Sequence, residues 1–146
     1  MFEVIAKTGV AQVIQLAVAP VFLLTGVGAI LNVMSNRLAR IVDRARVLEL
    51  KLTDAKDADR AELTQRLRNL SRRARLIGQS IALCVSTAVL ICSVIIVLFL
   101  GEFLDFEATA PAAVLFIAAL LSFLLSLVWL LREVFQATRT LKFGPG

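Results

Sequence analysis

Residues 32–46 read NVMSNRLARIVDRAR, and they decide how the rest of the chain is understood. The stretch opens as the end of an uncharged run, with Asn32 and Asn36. It then takes on Arg37, Arg40, Arg44 and Arg46 beside a single carboxylate, Asp43. An apolar helix that suddenly becomes cationic without a Pro or Gly to stop it is what a membrane span looks like where it leaves hydrocarbon for headgroups.

Working outward, no charged residue occurs from Thr8 to Asn36, from Leu76 to Gly101, or from Ala108 to Leu131, runs of 29, 26 and 24 residues. A bilayer core needs about 20 apolar residues in a helix, so the fold class expected is all-α, with three transmembrane helices. The spans fall at about 10–34, 78–100 and 111–131 in a single membrane domain, with a C-terminal tail at 132–146. Composition agrees: 59% of residues are hydrophobic, 18% are charged and the mean hydropathy is +0.86. A cleavable signal peptide is the competing reading of the first run. It is disfavoured because Glu3 and Lys7 cancel in the leading segment and Gln12 and Gln15 interrupt the apolar stretch before the small residues at 17–19.

Residues 37–75 carry twelve basic and six acidic side chains, whereas 102–107 carries Glu102, Asp105 and Glu107 and no base. Basic loops stay inside, so the long loop and the tail are expected in the cytoplasm and the N-terminus outside. The net charge of +5 does not suggest nucleic acid, since no aromatic residue lies between Phe22 and Phe99 to stack on bases. The partners expected are instead a bilayer with anionic headgroups and further copies of the chain, with room for a cytoplasmic protein.

The long loop is itself patterned. Leu38, Ile41, Ala45, Leu48 and Leu52 advance by 3, 4, 3 and 4, and Leu63, Leu67, Leu70, Ala74 and Ile77 by 4, 3, 4 and 3. Both are a/d seams. With the turn-rich TDAKDAD between them, they predict an antiparallel helical hairpin over about 35–77 joining the first two spans. Asp59 and Glu62 have capping-box spacing for the start of its second arm.

Polar and small residues inside the spans are the remaining signals. Thr25, Asn32, Asn36 and Asp43 advance by 7, 4 and 7 along one stripe of the first helix. Gln79, Ser86 and Ser93 recur every seven residues on the second, and Ala118, Ser122 and Ser126 every four on the third, a spacing that lets helix backbones approach. These polar groups either bond across the bundle or line a water-filled path or subunit interface. Arg37, Arg40 and Arg44 on one face, and Arg72, Arg73 and Arg75 on the returning arm, are candidate contacts for lipid phosphates. Asp43 requires a cation nearby, with Arg40, Arg46, Arg72 and Arg73 as candidates.

No catalytic constellation emerges. The chain contains no His, Cys84 and Cys92 sit within one apolar run, and Gly26 and Gly28 are embedded in another, so neither a metal site, a cofactor site, a disulfide nor a phosphate loop is signalled. Enzyme activity is not expected.

The stretches QLAVAPVFLLTGVGAILNVMSNRLARIVDRARVLE (15–49) and RRARLIGQSIALCVSTAVLICSVIIVLFL (72–100) resemble the small bacterial membrane proteins of domain of unknown function family 2721. NRLARIVDRAR with the later RRAR is the most specific part. The resemblance implies a bacterial inner-membrane protein and brings no catalytic or binding residues with it. Two classes of function follow. A non-enzymatic assembly or scaffold, associating through the hairpin, asks for the fewest assumptions. A homo-oligomeric cation or small-solute conduit lined by the first helix is the alternative, and it needs several copies because three spans cannot enclose a pore.

Overall fold

A computed structural model describes the backbone of residues 2–141 and the side chains of residues 9–139. The expectation resting on Glu3 and Lys7 lies outside the described side chains, as does the end of the expected tail after residue 139. The chain forms three α-helices, α1 (Phe2–Asp54), α2 (Asp57–Leu104) and α3 (Thr109–Leu141), and no strand occurs among the described residues. Each carries a stretch long and apolar enough to cross a membrane. The first apolar run and the first arm of the loop are one helix, as are the second arm and the second run. Helix α1 continues through Pro20, and α3 extends ten residues past Leu131, so most of the expected tail is helical.

The ends of the helices follow from local chemistry. Between α1 and α2 only Ala55 and Lys56 are non-helical. The Lys56 carbonyl accepts the amides of Asp59 (3.0 Å) and Arg60 (3.3 Å), so α2 starts at Asp57 rather than after a cap at Asp59. Asp57 and Asp59 fall in the first turn, where the helix dipole favours carboxylates. Glu62, free of any capping role, pairs with Arg66 one turn on at 2.8 Å. Helix α2 ends in a Schellman turn: Asp105 takes a left-handed φ of 57° and the Phe106 amide reaches back to the Gly101 carbonyl at 3.2 Å. Helix α3 then starts with the Ala112 amide on the Ala108 carbonyl (3.0 Å), and Pro111 is tolerated because it lies in the first turn.

Contacts divide the chain into two compact units, each containing a piece of all three helices. The first comprises Met1–Ile30 and Leu83–Leu124. Its core is Val13, Ala17 and Val27 from α1, Cys84, Thr87, Ile91 and Val94 from α2, and Ala108, Ala112 and Ala119 at or near the start of α3. In a bilayer, burying apolar surface gains little, because lipid is as apolar as Leu. Close approach and interhelical hydrogen bonds decide packing instead. The alanines on α3 permit that approach, and Ser122 uses it, donating to the Leu83 carbonyl on α2 at 2.9 Å. Cys84 donates to the Val27 carbonyl on α1 at 3.6 Å.

The second unit comprises Leu31–Ala82 and Leu125–Gly146. Met34 and Ile41 from α1, Ile77 and Ser80 from α2, and Ser126 and Glu133 from α3 are buried. Leu38, Ala45, Leu48 and Leu52 on α1 and Leu63, Leu67, Leu70 and Ala74 on α2 are half-buried around them, and residues 41–49 and 67–74 line a common cleft. The two seven-residue patterns read from the sequence therefore mark the sides of the arms that turn inward.

Candidate functional site

The most polar buried point among the described residues lies in the second unit, around Glu133. Its side chain is only 1% exposed. An isolated carboxylate in that position would be costly, so it must be paired and hydrogen-bonded. Arg37 on α1 donates through Nη1 to Glu133 Oε2. Arg73 on α2 donates through Nη2 (2.9 Å) and Nε (3.1 Å), so that two N–H groups of one guanidinium edge converge on the single oxygen Oε1. One carboxylate on α3 thus holds an arginine from each of the other two helices. Burial of Glu133 is possible because both arginines are themselves only partly exposed and supply donors to both oxygens.

Beside this clasp is a cleft of about 150 Å³ lined by Arg37, Arg40, Ile41, Arg44, Arg73 and Glu133. Arg37, Arg40 and Arg44 share one face of α1 because they are spaced by three and four residues. Four of the six arginines singled out from the sequence therefore meet at one place. The other two, Arg72 and Arg75, are exposed on α2 and do not line the cleft.

Below the clasp, Ser126 is buried and donates to the Ser80 carbonyl at 2.8 Å, tying α3 to α2, while Ser80 itself donates to Leu76 of its own helix at 3.1 Å. Of the three small residues read as helix packing, Ser122 and Ser126 bond to α2 in their respective units, and Ala118 is half-buried. The polar residues turned inward on α2 are Ser80 and Thr87, one position along from Gln79 and Ser86, which are exposed.

The stripe on α1 is not brought inward. In the second unit Asn32, Asn36 and Asp43 are all exposed, about half a turn from Met34 and Ile41 at roughly 100° per residue. In the first unit Thr25 is exposed and its hydroxyl donates to Val21 of its own helix at 3.2 Å. Asp43 forms no ion pair among the described residues, and Arg73, one of its expected partners, is engaged by Glu133 instead. The outward face of α1 continues past Asp43 with Val47 and Leu50, which are 52% and 71% exposed.

Glu133 is the central residue of this site that the sequence reading does not single out. A signal was present. Ala112, Ala119, Ser126 and Glu133 are spaced by sevens, and all four are buried. A carboxylate that continues the buried heptad of an apolar helix must find cations inside the bundle.

The family model for a protein of unknown function, DUF2721, matches residues 17–143. The chain belongs to this family. The match takes in both arginine-bearing arms and the carboxylate on α3, so the clasp lies wholly within the DUF2721 region. No curated protein and no solved structure matches the chain.

Proposed function

We propose that this DUF2721 protein is a non-enzymatic, multi-pass protein of the bacterial inner membrane that self-associates as an assembly or scaffold. Its N-terminus lies outside, and the α1–α2 hairpin and C-terminus are cytoplasmic. The excess of Lys and Arg in residues 37–75 supports that orientation.

The observation that carries the reading is the outward face of α1 in the second unit, where Asn32, Asn36, Val47 and Leu50 are all exposed. Asn32, about one turn inside the apolar run, lacks a partner in lipid, where an unmet polar group is costly, and Asn36 lies beside it at the edge of the run. Two apolar side chains on the arm beyond would be exposed to water. A second copy presenting the same face meets both needs: amide to amide at the membrane level, and Val47 and Leu50 against their counterparts on the hairpin. A self-complementary patch of this kind is what a two-fold contact requires.

The deciding experiment is the oligomeric state of the full chain in lipid nanodiscs, followed on dilution, for wild type and for Val47→Glu with Leu50→Glu. An oligomer that the double substitution disperses while the helix content stays constant supports the reading. A wild-type protein that is monomeric at every dilution overturns it.

A second reading is favoured by Asp43, an exposed carboxylate on the same face with no ion pair among the described residues. If copies turn this face toward a common axis, Asn32 and Asn36 line a conduit and Asp43 forms a carboxylate ring at its cytoplasmic mouth, selecting cations. Cation flux into proteoliposomes that falls on Asp43→Asn supports the conduit. An oligomer without flux leaves the scaffold.

A further inference from the structure

We propose that the cleft formed by Arg37, Arg40, Arg44 and Arg73 beside Glu133 is a binding site for a phosphate group, as a monoester or diester anion. This proposal does not depend on self-association, since every residue in it belongs to one protomer.

The charge balance comes first. Four guanidiniums meet one carboxylate around a single cleft of about 150 Å³, which leaves an excess of positive charge that the protein does not neutralise itself. Neither Arg40 nor Arg44 forms an ion pair among the described residues. A phosphate monoester brings up to two charges and three terminal acceptor oxygens to these forks, and a diester brings one charge and two such oxygens in the geometry that guanidinium forks match.

Preorganisation comes second. Glu133 holds Nη1 of Arg37 and the Nε–Nη2 edge of Arg73, which fixes both guanidiniums and leaves their remaining N–H groups unspent. Ordering flexible arginines is a main cost of binding an anion, and here two of the four are already held. Arg40 and Arg44, three and seven residues beyond Arg37, are exposed and are the half of the site without an ion pair among the described residues.

Position comes third. Arg37 is the first charge after the run ending at Asn36, Arg73 lies three residues before the run starting at Leu76, and Glu133 lies two residues after the run ending at Leu131. Where the helices span a bilayer, the cleft lies at the depth of the lipid phosphates. The phosphate can therefore come from an anionic lipid headgroup or from a soluble phosphate compound on the same side.

The test uses the full chain in maltoside detergent, which contains no phosphate. Phosphatidylglycerol and inorganic phosphate serve as separate probes, and binding is followed by native mass spectrometry and by thermal protection. Arg40→Gln with Arg44→Gln removes the half without ion pairs and spares the clasp. Arg72→Gln with Arg75→Gln removes the same charge outside the cleft and is the control. At about fivefold per arginine, the first pair should weaken binding roughly 25-fold, and the control, whose side chains lie outside the cleft, should retain it. Loss confined to phosphatidylglycerol assigns the site to a headgroup, and loss shown by inorganic phosphate as well assigns it to the phosphate alone. Arg40→Lys with Arg44→Lys keeps the charge and removes the forks, and should still bind more weakly than wild type. Equal weakening by the two glutamine pairs would show diffuse charge rather than a site and overturn the proposal. So would a wild-type protein that binds neither probe.

Discussion

Replacing Glu133 by Gln is the sharpest test of how the second unit is held together. The substitution preserves shape but removes the charge that three N–H groups from Arg37 and Arg73 share. It also turns one acceptor oxygen into an NH2 group, which must then face a guanidinium, donor against donor. Hydrogen bonds to charged groups contribute about 1.5–3 kcal/mol each, and breaking a buried ion pair costs about 3–5 kcal/mol. A simple sum over three bonds would overshoot, because Arg37 and Arg73 are partly exposed and water takes up some of what they lose. A net loss of about 2–3 kcal/mol is the reasonable expectation. At about 2–4 °C per kcal/mol for a chain of this size, the unfolding midpoint should fall by roughly 5–10 °C. The assay is thermal unfolding followed by circular dichroism in lipid nanodiscs. Arg73→Gln and the double variant complete a double-mutant cycle, in which a coupling of about 1 kcal/mol or more is expected. A Glu133→Gln protein that melts with the wild type, or a cycle that closes with no coupling, would refute the assignment of the clasp as the tie among the three helices.

Other perturbations probe single contacts and the orientation. Ser126→Ala removes the 2.8 Å bond to the Ser80 carbonyl and should cost about 0.6–1.7 kcal/mol by the same melting assay, with Ser122→Ala giving a similar loss through Leu83. Gly101→Ala should destabilise by about 1–3 kcal/mol, because the added methyl overlaps the Ala108 methyl, and Ala108→Gly in the same chain should recover part of the loss. For orientation, a cysteine placed at Ala55 should resist a membrane-impermeant thiol reagent in intact cells and one at Phe106 should be labelled, in a background lacking Cys84 and Cys92. The reverse labelling pattern would overturn the N-out assignment.

What the sequence disclosed depended on contrast. In the two arms, Leu38, Ile41 and Ala45 and later Leu63, Leu67 and Leu70 stand out against charged neighbours, so the seam and its period could be read, and these residues do turn inward. Inside the apolar runs that contrast disappears, since a residue facing lipid is as apolar as one facing a helix. Phe22 on α1 and Leu124 on α3 are well exposed, yet nothing in their type separates them from the buried Val27 or Met34. Polar residues were then the only guide, and they mislead by themselves: Asn32 and Asn36 lie outward, whereas Ser80 and Thr87, less conspicuous than Gln79, lie inward. A serine or threonine can bond back to its own helix, as Thr87 does to Leu83 at 2.9 Å, and so can be buried without declaring a partner. The end of the capping-box expectation has a similar origin. A carboxylate three residues after Asp59 can serve the helix start or pair with Arg66, and spacing cannot choose between them.

The two sides of α1 in the second unit have different physical roles. Met34 and Ile41 complete the interior, and Arg37 at the edge of that face reaches Glu133, so the three helices are satisfied without drawing on Asn32, Asn36, Asp43, Val47 or Leu50. The outward set takes no buried position within the protomer, yet part of it is costly to leave bare: Asn32 inside the apolar run and the aliphatic side chains on the arm beyond. On the self-association reading proposed above, a partner covers this face. The alternation of amide, carboxylate and aliphatic groups along a single helix face makes another copy of that helix the chemically simplest one.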